Sequence, residues 1–438
     1  MLKTFRGGIH PSYNKALTSS MPVEKANPPK LVIIPLSQHV GAPCEPVVKA
    51  GDMVKKGQKI GEAKAFVSAP IHASISGEVK AVEQRPHPGG GMVMSVVIES
   101  NGKDDVFEAA KPQKSLTELE PGEIKNLIRE AGIVGMGGAG FPTQVKLSPP
   151  EGKTIDTIII NGAECEPYLT ADHRLMLERP DDVVFGLEVI LKATAVNKGI
   201  IAIEDNKPDA AAAVKKAAAG KENIEVVIMA TKYPQGGEKQ LINAVTGREV
   251  PSGKLPMDVN VIVDNAGTCA AIAQAVTTGM PLVERILTVT GSGIKEPKNL
   301  LVRIGTPVGE VLEQCGGFKG KPGKVVMGGP MMGLAQSILS IPVIKGTSGI
   351  LVLEESDVKL HEQSNCIRCA KCVDTCPIHL LPTTLGKLAE KGMWADAEQY
   401  HALDCIECGC CSYVCPAHIP LTQLIRLAKN HIVASRKK

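Results

Sequence analysis

Two stretches of the sequence repeat one cysteine spacing: CIRCAKCVDTCP at residues 366–377 and CIECGCCSYVCP at residues 405–416. Each reads C-x2-C-x2-C-x3-C followed by Pro, a spacing typical of chains that ligate two 4Fe-4S clusters. The x2 intervals allow one loop to place three thiolates around a cubane, while the fourth Cys begins the segment that reaches the other cubane. We therefore expect crossed ligation, by Cys366, Cys369, Cys372 and Cys415 on one cluster and by Cys405, Cys408, Cys411 and Cys376 on the other.

Zinc is the alternative that paired C-x2-C units leave open. Two full repeats with both prolines favour clusters, and disulfides are disfavoured because Met1 to His10 lack the pattern of a secretory signal. The other five cysteines are expected to be small buried side chains: Cys44, Cys165, Cys269, Cys315 and Cys410. Two neighbouring clusters conduct single electrons, so a further redox group has to exchange electrons with them.

Length and composition indicate a multidomain protein that does not act on nucleic acid. The chain has 438 residues, 49 basic and 46 acidic side chains, and only 3% aromatic residues. This balance supplies neither a basic surface nor stacking platforms for nucleic acid. Two uncharged stretches, 265–283 and 325–344, are rich in small residues or broken by Gly and Pro. We therefore expect no spanning helix and at most a peripheral place at a membrane.

The pattern of apolar residues and turns changes several times along the chain. Residues 31–105 are short strands separated by turns, residues 115–283 alternate helices with apolar strands, and residues 284–335 suggest strands around one short helix. The alternating region predicts a largely parallel sheet, with helices near 123–131, 181–194 and 209–219 and strands near 157–160, 199–203 and 226–230. The other segments are an N-terminal extension (1–30), a linker (336–355) and the Cys-rich helical region (356–438).

A glycine-rich loop, GIVGMGGAGFPTQVKL at residues 132–147, follows the first helix of the alternating region. Clustered glycines let backbone N–H groups approach a phosphate closely. The loop does not follow a strand, as a Rossmann fingerprint does, so by itself it is compatible with a phosphate site or with a simple turn.

Together with three other segments, this loop resembles the flavin-binding site of the 51-kDa-type, NADH-oxidising subunits of respiratory complex I. The segments are NGAECEP from Asn161, YPQGGEKQ from Tyr233 and DNAGT from Asp264. The resemblance implies a Rossmann-like fold that binds FMN and NAD(H). Two acidic positions of the family pattern are Ala163 and Gly237 in this chain.

The resemblance also implies roles for individual residues. They are the backbone of Gly137, Gly138, Ala139 and Gly140 with Lys146 for the FMN phosphate; Asn161, Asn265 and Thr268 for the flavin ring or ribityl chain; Phe141, Glu166 and Glu238 for NAD; and Gly135, Glu164, Tyr233 and Gly236 as further cofactor-binding positions.

No catalytic acid or base is expected, because hydride transfer depends on orientation. The alternatives are a core Phe141, helix-start carboxylates at Glu164 and Glu166, and a solvated Lys146. Asp172, His173 and Arg174 are expected to cap a helix.

Other parts of the chain resemble known domains as well. Residues 46–82 resemble the barrel-sandwich hybrid of biotinyl and lipoyl carriers, with Phe66 at the position of the modified Lys, so we expect no swinging cofactor. Residues 284–335 resemble the soluble-ligand-binding β-grasp domain, and the cysteine repeat resembles bacterial two-cluster ferredoxins. This order of domains, with FRGGIHP at residues 5–11, resembles the RnfC family, the C subunits of Rnf ferredoxin:NAD oxidoreductases.

Membership of that family implies a redox subunit of a larger complex. It implies hydride exchange between NAD(H) and FMN, one-electron transfer through two 4Fe-4S clusters, and partner subunits that exchange electrons with ferredoxin and move Na⁺ or H⁺. It also implies a peripheral place on the cytoplasmic face of the cell membrane. Two alternatives stay open: a soluble flavin and iron–sulfur cobalamin reductase, and a non-catalytic electron wire or docking scaffold, which Ala163 and Gly237 suggest.

The last segment, residues 417–438, is basic and has apolar residues at helical spacing. Its cations are Arg426, Lys429, Arg436, Lys437 and Lys438. We expect a helix that either closes the ferredoxin domain or lies against an anionic membrane surface.

Overall fold

Short strands occupy most of the first hundred residues, as the spacing of the turns predicts. The computed structural model describes residues 2–108, 114–359 and 361–436, so Met1, Lys437 and Lys438 of the expected terminal segments lie outside the described residues. The strands are β1 (Val23–Lys25), β2 (Leu31–Pro35), β3 (Glu45–Pro46), β4 (Met53–Val54), β5 (Lys59–Glu62), β6 (Ile71–His72), β7 (Gly77–Pro86) and β8 (Met92–Ser100). One antiparallel sheet has the order β2-β8-β7-β4 and a second has β3-β5-β6, around a core that includes Ile34, Ile60 and Ile98.

This β-rich unit borders the glycine-rich loop of the next domain. Phe66 lies in the loop between β5 and β6 with an exposed side chain, and its carbonyl accepts a hydrogen bond of 3.0 Å from Gln144 Nε2. In the loop between β2 and β3, the Val40 N–H donates to the Gly140 carbonyl at 3.2 Å. Two loops of the β-rich unit are therefore anchored beside residues 132–147.

Residues 115–283 form the predicted parallel sheet with helices on both faces. The elements are α1 (Pro121–Glu130), α2 (Thr143–Lys146), β9 (Thr157–Gly162), α3 (Ala171–Glu178), α4 (Pro180–Thr194), β10 (Gly199–Glu204), α5 (Pro208–Ala217), β11 (Ile224–Met229), α6 (Glu238–Thr246), β12 (Val261–Asn265) and α7 (Ala266–Thr278). A Cβ on Gly186 of α4 would lie 2.1 Å from the Cys269 carbonyl oxygen of α7, so only glycine allows these two helices to pack so closely.

The strand order of this sheet is β11-β10-β9-β12, with every pair parallel. The chain runs outward from β9 to β10 and β11 and then returns to the other side of β9 as β12. The connections therefore diverge at the carboxyl ends of β9 and β12. In open parallel sheets this switch point is where ligands bind.

A third, mixed sheet follows, and it extends beyond the expected 284–335. Its elements are β13 (Glu284–Thr290), β14 (Lys298–Arg303), α8 (Val308–Glu313), β15 (Pro322–Met327), β16 (Leu334–Gln336) and β17 (Gly349–Glu354), in the order β1-β14-β13-β17-β15-β16. The structure differs here from the expected linker at 336–355, because β17 is a buried strand between β13 and β15. Its apolar run GILVL has no alternation to mark it as a strand of this sheet.

The Cys-rich region forms five helices among its described residues: α9 (Lys371–Asp374), α10 (Pro382–Glu390), α11 (Trp394–Gln399), α12 (Cys410–Tyr413) and α13 (Leu421–Arg436). Single 3-10 turns occupy Pro256–Val259, Glu355–Asp357 and Ala402–Asp404. The two cysteine repeats share their backbone conformation, because positive φ angles recur at equivalent positions: Arg368 and Glu407, Ala370 and Gly409, His379 and His418.

The basic C-terminal helix closes the ferredoxin-like region. Ile425, Ala428 and Ile432 of α13 are buried in one core with residues of α10. Arg426 and Lys429 are each paired with Glu407 at 2.6 Å. Among the described residues, no helix combines the length and apolarity that crossing a membrane requires.

The N-terminal extension is tied to the rest of the molecule by a buried polar network around Asn299 of β14. Asn299 Nδ2 donates to the carbonyls of Thr18 and Met21 at 2.9 and 3.1 Å. Its Oδ1 accepts from the hydroxyls of Thr170 and Thr288, both at 2.9 Å. These four hydrogen bonds join the N-terminal extension to α3 and to the third sheet.

Asn299→Ala is expected to lower the free energy of unfolding by about 2–4 kcal/mol, because it removes four hydrogen bonds that a fully buried side chain makes. The loss is measured as a shift of the urea midpoint, together with faster proteolysis within residues 2–25. Asn243→Ala, at an exposed position of α6, is the matched control and should change stability by less than about 0.5 kcal/mol. Equal midpoints for the two variants would contradict the assigned role of the network.

Candidate functional site

Two asparagines face each other across the switch point of the parallel sheet. Asn161 is the penultimate residue of β9, Asn265 ends β12, and the two are partners in the strand register. Asn161 Nδ2 donates to the Gly236 carbonyl at 2.8 Å, and Asn265 Oδ1 accepts from the Gly267 N–H at 2.8 Å as the N-cap of α7. The crevice thus has amide side chains at its floor and the positive end of a helix dipole at one wall.

The glycine-rich loop closes this crevice from the side. The Gly135 N–H donates to the Phe141 carbonyl at 2.9 Å, and the Met136 N–H donates to Thr268 Oγ1 at 3.1 Å. Within the part of the chain that the structure describes, the N–H groups of residues 137–140 have no acceptor, and residues 137–139 are exposed. Free backbone donors in a tight loop beside a helix N-terminus are suited to an anionic group such as a phosphate.

Lys146 lies at the base of the same loop, but its ammonium is bound to the sheet. Nζ donates to the Val263 carbonyl at 2.9 Å and lies 3.4 Å from Asp264 Oδ1. Asp264 is buried, which raises its pKa, and its Oδ2 has no partner among the described residues. Glu238, in the first turn of α6, also has a raised pKa, because neighbouring residues exclude water from its carboxyl, with Lys146 opposing the shift. The loop base therefore holds one cation and two carboxylates.

The structure adds Asp172 to this site, a residue that the sequence analysis assigned only to a helix cap. Asp172 Oδ2 accepts from Asn265 Nδ2 at 2.7 Å, and burial together with the nearby Glu164 raises the Asp172 pKa to about 6. Asp264 was likewise overlooked, although it directly precedes Asn265 in the strand. For Asp264 the signal was its place next to Asn265 in DNAGT, whereas Asp172 reaches the crevice only through a tertiary contact.

Three predicted cofactor-binding residues lie outside the crevice. Glu164 caps α3 by accepting from the N–H groups of Asp172 and His173 at 2.9 and 3.2 Å, which is the helix-start alternative. Glu166 accepts from the N–H groups of Met331 and Met332 at 3.1 and 2.9 Å, and burial raises its pKa to about 7.

The third is Tyr233, whose side chain is almost fully buried. Its hydroxyl donates to the Cys408 carbonyl at 2.8 Å and lies 3.4 Å from Glu166 Oε1. Glu166 and Tyr233 therefore join the parallel-sheet domain to the Cys-rich region and to the third sheet.

The structure brings together both predicted cysteine sets. Cys366, Cys369, Cys372 and Cys415 line one cavity, and Cys376, Cys405, Cys408 and Cys411 line a second. Backbone N–H groups point at the sulfurs, as from Leu380 to Cys376 at 3.3 Å. In the described ranges, no three His, Cys, Asp or Glu side chains converge closely enough to hold a single metal ion. Four thiols around a shared space are the donor set of a cubane cluster.

The two cysteine sets differ in their surroundings. Around the second set, Tyr233 contacts Cys408, the Gly8 N–H donates to the Thr375 carbonyl at 2.9 Å, and Gln240 Nε2 donates to the Pro377 carbonyl at 3.0 Å. Cys369 of the first set is exposed. We call the set of Cys376, Cys405, Cys408 and Cys411 the inner set and the set of Cys366, Cys369, Cys372 and Cys415 the outer set.

Family models match four segments of the chain in the order that the sequence predicts. They are the RnfC barrel-sandwich hybrid domain at 3–103, the Nuo51 FMN-binding domain at 128–274, the SLBB domain at 286–335 and the 4Fe-4S dicluster domain at 365–419. These matches agree with the predicted order of a barrel-sandwich, a flavin-binding, an SLBB and a two-cluster segment, and they confirm the predicted cofactors, FMN and 4Fe-4S clusters.

Curated relatives agree over almost the whole chain. The C subunit of the Na⁺-translocating ferredoxin:NAD⁺ oxidoreductase complex of Acetobacterium woodii is 53% identical over 99% of this chain and 98% of its own length. The C subunit of the proton-translocating complex of Clostridium ljungdahlii is 54% identical over 92% of this chain and 88% of its own length. The chain belongs to the RnfC family.

A more distant likeness concerns the fold alone. Two structures of the NAD⁺-reducing [NiFe]-hydrogenase, air-oxidised and H₂-reduced, match this RnfC chain with TM-scores of 0.50 and 0.51 at 20% and 17% identity. The matches cover 65% and 74% of this chain and 54% and 62% of the hydrogenase chain.

The crevice of this RnfC chain fits FMN by its own geometry. The free N–H groups of residues 137–140 and the α7 N-terminus match a phosphate, and Asn161, Asn265 and Asp264 offer polar groups to a ring or a polyol. Gly137 in particular has to be glycine, because its Cβ would lie 2.7 Å from Asn265 Nδ2.

Gly137→Ala is expected to weaken FMN binding by about tenfold or more, since the methyl group displaces Asn265 from Asp172 and from the α7 cap. The dissociation constant is measured by the quenching of FMN fluorescence in the reconstituted chain. Gly138→Ala is the matched control, because a Cβ at that position meets nothing within 4 Å and the backbone donor is retained. A similar loss in both variants would contradict the placement of the site between the loop and Asn265.

Proposed function

We propose that this RnfC protein is the NAD(H)-reacting electron-transfer subunit of a membrane-bound, ion-translocating ferredoxin:NAD⁺ oxidoreductase complex. The observation that carries the proposal is the direct, buried connection between the FMN crevice and the inner cysteine set. Bound FMN supplies the conversion between a two-electron hydride and single electrons, and the clusters supply one-electron steps. The residues of the chain bind, orient and shield these groups.

Within the crevice, the loop N–H groups and the α7 N-terminus hold the FMN phosphate, while Asn161, Asn265 and Thr268 orient the rest of the cofactor. Lys146 neutralises Asp264 at the loop base. Phe141 is half exposed on the loop and Glu238 is exposed opposite, so these two are assigned to NAD(H). Glu166 is not assigned to NAD(H), because both of its oxygens accept backbone N–H groups.

The path for electrons starts at the inner set and ends at the outer set. Beyond Asn161, Gly236 and Cys165 are linked by a hydrogen bond of 3.4 Å, and Tyr233 connects this strand end to Cys408. One small apolar core at this junction consists of four buried residues: Ile9, Tyr233, Cys408 and Cys410. The exposed outer set is therefore the contact point for a partner subunit.

The partner subunits supply what the described residues of this chain lack. The relatives are subunits of complexes that move Na⁺ or H⁺, and no helix in the described parts of this chain is built to span a membrane. We place the protein at the cytoplasmic face of the cell membrane, where NAD(H) is present, with the ion pathway in other subunits and ferredoxin as the ultimate electron partner.

The proposal is tested by anaerobic titration of the reconstituted full chain with NADH. Loss of the visible flavin absorbance, followed by the electron paramagnetic resonance signals of reduced clusters, is the expected outcome. A chain that retains FMN and clusters but does not respond to NADH would instead be a one-electron wire. Rapid reduction of cob(III)alamin without any membrane partner would favour the cobalamin reductase.

Cysteine variants test the order of the clusters. Cys369→Ser is expected to abolish the outer cluster, to leave flavin bleaching by NADH and the inner cluster signal unchanged, and to stop electron transfer to an added cytochrome. Cys408→Ser is expected to remove the inner cluster and with it the reduction of the outer one.

Cys410→Ala is the matched control, because Cys410 is buried beside Tyr233 and stands where the first repeat has Lys371. It should keep both cluster signals and the transfer rate. Two results would contradict the proposed order. One is reduction of the outer cluster at the wild-type rate in Cys408→Ser, and the other is reduction of the cytochrome at the wild-type rate in Cys369→Ser. Either result would mean that the order is reversed or that the electrons take a direct route.

A further inference from the structure

The two halves of the cluster domain have the same backbone but opposite charges beside their clusters. Glu407 of the inner half and Arg368 of the outer half occupy equivalent positions with the same left-handed φ, +56° and +57°. Lys387 lies eleven residues after Cys376, as Arg426 lies eleven residues after Cys415. The halves can therefore be compared residue by residue.

In the inner half a single carboxylate pairs with both cations. Glu407 Oε2 pairs with Arg426 Nε at 2.6 Å, and Glu407 Oε1 pairs with Lys429 Nζ at 2.6 Å. These three side chains are only partly exposed. The network closes the inner half against its own C-terminal helix.

In the outer half, Arg368 replaces the glutamate, so the cations have no such partner. Arg368, Lys371 and Lys387 all line the cavity of the outer set, all are exposed, and none forms an ion pair within the described ranges. Residues 363–373 contain no acid. The acids nearest in sequence to Lys371 and Lys387 are Asp374 and Glu390, and among the described residues neither forms an ion pair with the three cations.

An apolar side chain stands in the middle of these charges. Ile367, between Cys366 and Arg368, is 68% exposed and is the most exposed large hydrophobic side chain among the described residues. We call Ile367, Arg368, Lys371 and Lys387 the basic collar. An apolar centre with a charged rim is the usual anatomy of a protein interface.

We propose that the basic collar is the docking site of an acidic electron-transfer protein, which exchanges electrons with the outer cluster. This inference rests on the proposed function, because it identifies the chemistry of the partner that meets the outer set. The step is the passage of one electron: the outer cluster is oxidised as the one-electron centre of the partner is reduced, or the reverse, and no bond forms or breaks. A carboxylate-rich surface matches the unpaired cations, and such complementarity raises the encounter rate.

The test uses the full chain with reconstituted clusters, reduced by dithionite and freed of excess reductant, so that it does not depend on NADH. It is mixed in a stopped-flow instrument with oxidised cytochrome b5, an acidic one-electron acceptor, or with cytochrome c, a basic one. For the wild-type chain, the rate with cytochrome b5 should fall as the salt concentration rises, and the rate with cytochrome c should rise.

Arg368→Glu is the informative variant, because it installs the residue that the inner half carries at the same backbone conformation. It is expected to lower the cytochrome b5 rate at low salt by about tenfold, and to raise the cytochrome c rate, since it reverses one charge and offers Lys387 a partner. Lys387→Glu should change both rates in the same direction. Because Lys387 lies outside the cysteine loop, this variant still tests the proposal if Arg368→Glu assembles its cluster poorly.

Lys216→Glu, at an exposed position of α5 that makes no ion pair among the described residues, changes the net charge equally and is the matched control. Its rate should stay within about twofold of wild type. Iron content and cluster signals are measured on every variant.

Three outcomes would overturn the proposal. The first is an equal loss of rate for Arg368→Glu and Lys216→Glu, which would mean that only net charge matters. The second is a wild-type preference for cytochrome c at low salt. The third is an unchanged cytochrome b5 rate combined with the release of Arg368→Glu from phosphatidylglycerol vesicles that bind the wild type, which would assign the collar to an anionic membrane. A chain that transfers electrons to cytochrome b5 but is not reduced by NADH would contradict the proposed function while leaving the docking site intact.

Discussion

The hydroxyl of Tyr233 donates a hydrogen bond to the carbonyl of Cys408, and this buried contact joins the two redox parts of the protein. Tyr233 is almost fully buried at this interface, so the contact is shielded from solvent. The other contacts at this junction serve the same end: Glu166 holds the backbone of Met331 and Met332, and the Gly8 N–H holds the Thr375 carbonyl. The N-terminal extension and the third sheet thus also stabilise this junction.

The topology of the parallel sheet explains why the flavin residues come from distant parts of the chain. The return of β12 to the free side of β9 sets Asn161 and Asn265 opposite each other and directs the first turn of α7 into the crevice. The glycine-rich loop is placed there by the Met136 contact with Thr268 and by the β-rich unit packed behind Gly140. Under the crevice, two buried carboxylates are tolerated because a polar group faces each of them: the ammonium of Lys146 faces Asp264, and the amide of Asn265 faces Asp172.

The cluster domain combines a duplicated cysteine spacing with two different surroundings. The left-handed residues at equivalent positions give both halves the same thiolate geometry, while Glu407 and Arg368 give them opposite electrostatic surroundings. The inner half is closed by its own ion pairs, and the outer half leaves its cations exposed.

The sequence by itself determined the parts that depend on local spacing: the two cysteine repeats, the glycine-rich loop, the alternation of α1 to β12 and the order of the domains. These could be predicted because ligand intervals and hydrophobic periodicity are properties of neighbouring residues. Only the tertiary structure decided that Gly349–Glu354 is a central strand, that Glu166 and Tyr233 serve the domain junction, that Asp172 belongs to the crevice, and which cysteine set is exposed. Each of these depends on contacts between residues far apart in the chain, which packing and topology select and no local pattern records.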